Sequence, residues 1–188
     1  MISQFNINHF GIQLSSAHLL DPNTIFEWGS VDFIDDSGAL NGSPNGIFMR
    51  VTGGNPDPTW EIVNVKNGVE NVVDSSLWNG TNAALLNNKP DLSVYEMQYN
   101  AGTAFFFQGS NFLHRLSGLV DTYAATYNFP VDVRIRNING NTTNRSIGTR
   151  AAGTYRLGEE RGELISRAFT SDTLIKTGAG YVGNVRRS

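Results

Sequence analysis

Short segments with the alternation typical of β-strands recur about every 8–14 residues along this chain, and turn-forming residues separate them. The clearest is VDVRIR (131–136), whose three apolar residues share one face and whose three charged residues share the other. Further segments of this kind cover 25–34, 45–53 and 60–73. Strands at this spacing are typical of an antiparallel β-sandwich and not of a fold that alternates strands with helices.

The turn-forming residues predict how these strands connect. Asn67-Gly68 is a strong signal for a two-residue type I′ hairpin, because both residues accept the positive φ angles of that turn. The segments 94–99, 103–108 and 111–116 are joined by short turns that contain glycine, so they predict a three-stranded meander. The chain has 21 asparagines, and asparagine is unfavourable in helix interiors and favourable in turns.

The charged and apolar residues of the sequence limit the kinds of partner that this chain is expected to bind. With 14 basic and 17 acidic residues the net charge is −3, which argues against a nucleic-acid partner because that requires a basic surface. The chain has 3 lysines beside 11 arginines, a ratio that favours paired or stacked cations unless it reflects compositional drift alone. No stretch approaches the ~20 apolar residues of a membrane span, and the N-terminus does not resemble a secretory signal, so no membrane association is expected.

Little in the sequence indicates catalysis. The chain contains no cysteine, no G-x-S-x-G motif and no H-E-x-x-H motif, and its three histidines are far apart. His114 shares a strand face with Phe112, which is more typical of a half-buried structural histidine than of a base. The paired carboxylates of a glycosidase could come from three glutamates in predicted strands, Glu27, Glu61 and Glu96. Alternation also places charged residues on the outer face of a surface strand, and this explanation is favoured, so we predict that the chain is not an enzyme.

Calcium is the one metal for which the sequence offers ligands. The segments FIDDSG (33–38) and NINGN (137–141) cluster side-chain oxygens around a glycine, and Asn137, Asn139 and Asn141 would point the same way along an extended stretch. Neither segment has the spacing of an EF-hand, and such clusters are above all turn formers. We expect turns here and no cofactor, with a bound calcium ion as the alternative.

A carbohydrate-binding surface is a further alternative, because aromatic rings stack on the apolar faces of sugars. Trp78 is the candidate glycan contact, since it lies in WNG (78–80), where a strand meets a turn and a ring is easily exposed. In a β-sandwich most large aromatic residues fill the core, and this is the competing expectation for Trp78.

Three segments together resemble the β-sandwich domain of structural proteins of tailed bacteriophages. They are YEMQYNAGTAFFFQGSNFLHRLSG (95–118), TYNFPVDVRIRNINGNTTNRSI (126–147) and YRLG (155–158). The resemblance covers roughly residues 45–158 and implies an antiparallel β-sandwich of the concanavalin-like, laminin-G-type jelly-roll class. No catalytic residue is carried over with it.

The resemblance also implies a role, which is that of a virion structural protein on the outside of the particle. Such a protein would be a head decoration or a component of the tail, baseplate or fibre. The expected partners are major capsid or tail proteins and copies of the chain itself, and the expected location is the virion, assembled in the host cytoplasm. A carbohydrate-binding module that recognises a host surface glycan is the alternative function.

The sequence also suggests a division of the chain. We divide it into an N-terminal arm (1–24), the sandwich (25–158) and a C-terminal assembly segment (159–188). Apolar residues are spaced along both end segments, and in the C-terminal segment arginines lie beside them. A protein interface requires such apolar anchors with a polar rim. The alternative is that both ends complete the sandwich of the same chain. The predicted assembly contacts are Phe5, Ile7, Phe10, Ile12, Leu14, Arg167, Phe169 and Tyr181.

Overall fold

The structure is a computed structural model that describes residues 7–15, 22–33, 39–54, 57–80, 93–100, 102–119, 131–143, 145–157, 164–177 and 182–187. The strands are β1 (Ile7–Ser15), β2 (Thr24–Val31), β3 (Gly46–Thr52), β4 (Thr59–Lys66), β5 (Val69–Asp74), β6 (Ser93–Asn100), β7 (Thr103–Gln108), β8 (Asn111–Ser117), β9 (Val131–Asn137), β10 (Arg145–Leu157), β11 (Leu164–Thr177) and β12 (Val182–Arg187). A 3-10 helix, Ser75–Leu77, follows β5.

The strands form two antiparallel sheets of six strands each. Sheet A has the order β11-β10-β1-β6-β7-β8, and sheet B has the order β12-β9-β2-β3-β4-β5. The prediction of an all-β chain with antiparallel sheets is confirmed. Among the described residues, no helix is long and apolar enough to cross a lipid bilayer.

The local turn signals explain the hairpins. β4 and β5 pair around Asn67 and Gly68, whose φ angles of 51° and 76° are the positive values that a type I′ turn requires. The predicted meander is also present, because β7 pairs with β6 on one side and with β8 on the other. Gly102 and Gly109, at φ 77° and 57°, lie in the two turns that join these strands.

The main core lies between the sheets. At its centre the rings of Trp28 and Trp60 meet edge to face with their centroids 6.0 Å apart. Both rings contact Tyr95 of sheet A, at 5.1 Å from Trp28 and 5.8 Å from Trp60, so the three rings join the two sheets. The other buried residues of this core include Phe26, Ile47, Met49, Val51, Ile62, Met97, Phe106, Leu113, Val133 and Ile135.

Sheet B also buries side chains on the face turned away from sheet A, which we call the outer face of sheet B. Val31, Phe33, Phe48, Val63 and Val65 form a second apolar cluster there. The rings of Phe33 and Phe48 lie 4.9 Å apart. Phe33 lies in the connection after β2, so this connection contributes a buried ring to a face that sequence alternation alone predicts to be polar.

Strands near both ends of the chain lie in the sheets. β1 is an interior strand of sheet A, paired with β6 on one side and β10 on the other. β11 pairs with β10, and β12 pairs with β9 at the end of sheet B. These three strands therefore pair within the two sheets, and the division of the chain into arm, sandwich and assembly segment stays a prediction. An interior position suits β1 because the main-chain polar groups on both of its sides are paired.

Candidate functional site

A row of charged residues crosses the outer face of sheet B at right angles to its strands. Strand register places Glu27 of β2 between Arg134 of β9 and Arg50 of β3. The row continues from Arg50 to Glu61 of β4 and from Glu61 to Asp74 of β5. Residues directly opposite each other on antiparallel strands are close enough to interact, so the opposite charges from Arg134 to Glu61 favour this register, whereas Glu61 and Asp74 at the end of the row are both acidic.

Glu27 is the centre of this row, and its side chain is 0% exposed. Its Oε1 accepts hydrogen bonds from Arg50 Nε at 2.9 Å and from Arg136 Nη2 at 3.2 Å. Its Oε2 accepts from Arg134 Nε at 2.6 Å and from Arg136 Nε at 3.2 Å. A buried carboxylate is tolerated only when charged or hydrogen-bonding partners replace water, and three arginines do so here.

Arg50 connects Glu27 to the acidic side of the outer face. Its Nη1 and Nη2 donate to the two carboxylate oxygens of Glu70 on β5, at 2.8 and 2.5 Å, in the bidentate geometry that a guanidinium favours. Its Nη1 also lies 3.7 Å from Glu61 Oε2. Arg50 therefore uses all three of its nitrogen atoms within the network.

The environment shifts the pKa of three members of this network. Burial alone would raise the pKa of Glu27, but the charges of Arg134, Arg136 and Arg50 and the hydrogen bond from Arg134 outweigh burial, so its pKa is lowered. The pKa of Arg50 is raised, because its bonds to Glu70 and Glu27 outweigh the opposing effect of burial. The pKa of Glu61 is raised by burial and by the nearby charges of Asp74 and Glu70, against the smaller opposing effect of Arg50.

Phe33 supports the network from the connection after β2. The guanidinium carbon of Arg134 lies 3.7 Å from the centre of the Phe33 ring, a cation–π contact. The backbone N–H of Phe33 donates to Asp132 Oδ2 at 3.1 Å, and Asp132 is on β9 two residues before Arg134. Ring and backbone of Phe33 are thus both held at the β9 end of the outer face.

This arrangement differs from the two carboxylates of a glycosidase. Glu27 and Glu61 both contact Arg50, so a guanidinium fills the space between them. Glycoside hydrolysis requires that space for the scissile bond and, in inverting enzymes, for a water molecule. The two glutamates therefore act as partners of an arginine in this structure.

The structure corrects the expectation that Trp78 presents an exposed ring. Trp78 is 7% exposed and belongs to the main core, and its indole N–H donates to the Val73 carbonyl at 3.1 Å. The reason is the two residues after it: Asn79 Oδ1 accepts from the Arg115 backbone N–H at 2.9 Å, and Gly80 donates to the Leu113 carbonyl at 2.9 Å. The segment is drawn onto β8, which turns the ring inward. The other two tryptophans of the chain, Trp28 and Trp60, are buried as well.

The described part of the candidate calcium segments forms a turn. Asn139 and Gly140 have φ angles of 53° and 74°, and the N–H of Asn141 donates to the Ile138 carbonyl at 3.0 Å. The oxygen of the Asn141 side chain accepts from the Thr143 N–H at 3.0 Å, so it is used within the turn. Asn137 Oδ1 accepts from Thr24 Oγ1 at 3.4 Å. Among the described residues no group of three or more acidic or histidine side chains could hold a metal ion, and 34–38 lie outside them.

The predicted assembly contacts are located only in part. The backbones of Ile7, Phe10, Ile12 and Leu14 lie on β1, and those of Arg167 and Phe169 lie on β11. Phe5 and Tyr181 lie outside the described residues. The role of these side chains in assembly stays a prediction.

His114 lies on β8, as predicted, and its side chain is buried there. It is 6% exposed, and its Nδ1 accepts the backbone N–H of Asn79 at 3.3 Å. Burial lowers its pKa, so the neutral ring that accepts this bond is favoured.

The network around Glu27 was not predicted as a site, although two signals for it were present. One is the scarcity of lysine beside arginine, since Arg50, Arg134 and Arg136 are all paired. The other is the pair of arginines two positions apart on one face of β9. Neither signal identifies Glu27, which is 107 residues from Arg134 in the chain.

Comparison of the chain with protein-family models finds no family that matches, and a search among curated proteins finds no relative.

Proposed function

We propose that this chain is a structural protein on the exterior of a tailed-bacteriophage particle, as a head decoration or a component of the tail, baseplate or fibre. It acts by protein–protein assembly with major capsid or tail proteins and with copies of itself, in the virion that assembles in the host cytoplasm. The sequence resemblance supports this role. Arg50 contacts Glu27 and Glu61, two of the three candidate catalytic carboxylates, and this also fits a role other than glycoside hydrolysis.

The observation that carries the proposal is a set of three exposed apolar side chains along β5 and the 3-10 helix that follows it, at the edge of sheet B. Val69, Val72 and Leu77 are 74%, 41% and 70% exposed. They are three of the four large apolar residues that are exposed among the described residues, and they lie within nine residues of each other. β5 ends sheet B, so one side of its main chain has no neighbouring strand in the order of that sheet. Apolar side chains next to an open strand edge favour contact with another protein.

The fold that we propose within the all-β sandwich is a concanavalin-like jelly roll. The path of the chain supports this, because it passes from sheet A to sheet B between β1 and β2 and returns between β5 and β6. It crosses again between β8 and β9, between β9 and β10, and between β11 and β12. Repeated crossing between two packed antiparallel sheets is a property of jelly rolls.

The test is incorporation into particles. Particles purified from the host that carries the gene are analysed by mass spectrometry and by immunogold electron microscopy, with the wild-type chain and with the triple variant Val69→Thr, Val72→Thr, Leu77→Ser. We expect the wild-type chain on the particle surface and a clear loss of the triple variant, while Leu40→Ser, at the fourth exposed apolar residue, is incorporated normally. Absence of the wild-type chain from particles would overturn the proposed role. Equal incorporation of all variants would overturn the β5 edge as the contact.

A further inference from the structure

Two arginines of the outer face of sheet B have nitrogen atoms that the network leaves unused. Arg134 binds Glu27 through Nε, and Arg136 binds it through Nε and Nη2. Among the described residues, no acceptor is bonded to Nη1 or Nη2 of Arg134 or to Nη1 of Arg136. The two side chains are 16% and 31% exposed, so they remain in contact with solvent at the β9 end of the face.

These two arginines are held in place before any ligand arrives. Glu27 is fully buried and fixes the Nε side of both guanidinium groups, and the Phe33 ring stacks on Arg134 at 3.7 Å. A free arginine side chain loses rotamer entropy when it is fixed, and a ligand would otherwise have to offset this loss. Fixed donors that face a planar anion lower this cost of binding.

The charges on the outer face are divided between its two ends. Glu61, Glu70 and Asp74 lie on β4 and β5 around Arg50. At the other end, β9 carries Arg134 and Arg136, and the carboxylates beside them among the described residues are those of Glu27 and Asp132. The unused donors lie at the more basic end of the face.

We infer that the unused ends of Arg134 and Arg136 form a binding site for a carboxylate group. A carboxylate is planar and carries two acceptor oxygens, which match parallel N–H donors of a guanidinium. The carboxylate can belong to a small free acid or to an acidic side chain of another protein, and the site would recognise the same group in both. This inference does not depend on the role in a phage particle.

The experiment is a titration of the folded chain, followed by backbone amide chemical shifts, with sodium malonate against sodium chloride at equal ionic strength. Variants Arg136→Gln and Arg136→Lys are compared with Arg115→Gln, which removes one exposed arginine from β8 in sheet A. Arg136 is chosen over Arg134 because its side chain is more exposed, at 31% against 16%, and its bonds to Glu27 are longer, at 3.2 Å against 2.6 Å. A second arm compares a short glutamate-containing peptide with its glutamine counterpart, and a third uses inorganic phosphate.

We expect saturable shifts around β9 with malonate and none with chloride. Both Arg136 variants should weaken malonate binding about tenfold, since glutamine lacks the charge and lysine lacks the forked donors, and Arg115→Gln should leave it unchanged. If malonate binds and neither peptide does, a small free acid is supported as the ligand. If the glutamate peptide binds and its glutamine counterpart does not, an acidic side chain of another protein is supported. Absence of saturation, an equal loss in Arg115→Gln, or binding of phosphate without malonate would overturn the inference. If Arg136→Gln does not fold, the wild-type titrations and Arg136→Lys decide the result.

Discussion

The two faces of sheet B both bury side chains completely, but they are built in opposite ways. Phe26 and Glu27 are neighbours on β2, and both are 0% exposed. Phe26 lies in the main core between the sheets, whereas Glu27 lies on the outer face among Arg50, Arg134 and Arg136. One face is stabilised by removal of apolar surface from water, and the other depends on complete pairing of charges.

This contrast shows that the buried fraction of a side chain does not reveal which interaction stabilises it. An apolar core loses stability in proportion to the volume removed, and it is insensitive to pH. A buried ion network is sensitive to the loss of a single partner, because the remaining charges are then left without compensation. Neighbouring residues of one strand can therefore respond very differently to the same disturbance.

The largest effect is expected at the core face. Phe26→Ala removes a fully buried ring and leaves a cavity between the sheets, so the free energy of unfolding should fall by about 3–5 kcal/mol. Urea denaturation at neutral pH measures this loss. Phe26→Leu is the control and should lose much less, and a loss below about 1 kcal/mol for the alanine variant would show that the sheets repack around this position.

Glu27→Gln tests the outer face without a change of side-chain shape. Glutamine turns an N–H group toward arginine donors that now bond to Glu27 oxygens, and it removes the negative charge that Arg50, Arg134 and Arg136 share. We expect a loss of about 3 kcal/mol in the free energy of unfolding, measured in urea. A loss below about 1 kcal/mol would mean that water replaces the carboxylate easily and that the two faces are less different than their burial indicates.

The stability losses of Glu27→Gln and Phe26→Ala should depend differently on pH. Because the pKa of Glu27 is lowered in the folded state, its contribution is complete above the unfolded pKa of about 4.3 and is lost as the pH falls through the lower folded pKa. The difference in unfolding free energy between wild type and Glu27→Gln should thus be constant from about pH 7 to about pH 5 and should shrink below about pH 4. A difference that persists in strong acid would show that the effect comes from packing. The loss in Phe26→Ala should be the same at each pH.

The smallest effect is expected at Glu61, which lies in the same row and contacts the same Arg50. Its pKa is raised, so the folded protein binds this proton more tightly than the unfolded chain does, and the ionised carboxylate does not stabilise the fold at neutral pH. Glu61→Gln should therefore change the free energy of unfolding by less than about 0.5 kcal/mol, or raise it slightly. A loss as large as that of Glu27→Gln would mean that the whole row acts as one unit.

Part of this architecture could be predicted from local patterns. The Asn67-Gly68 hairpin and the β6–β8 meander follow from residues adjacent in the chain, because positive φ angles and alternation are local properties. Trp78 shows the limit of such patterns. Its burial depends on bonds from Asn79 and Gly80 to β8, a strand more than thirty residues further along the chain.

The sequence by itself determined the all-β antiparallel class, the β4–β5 hairpin, the β6–β8 meander and the face of β9 on which Arg134 and Arg136 lie. A period of two residues is sufficient for that, since it assigns each side chain to one face of its strand. Only the tertiary structure decided that Glu27 stands opposite Arg134 and that β1 is an interior strand. Register between distant strands depends on the combined pairing of a whole sheet, and a shift of one residue would move every side chain of a strand to its other face.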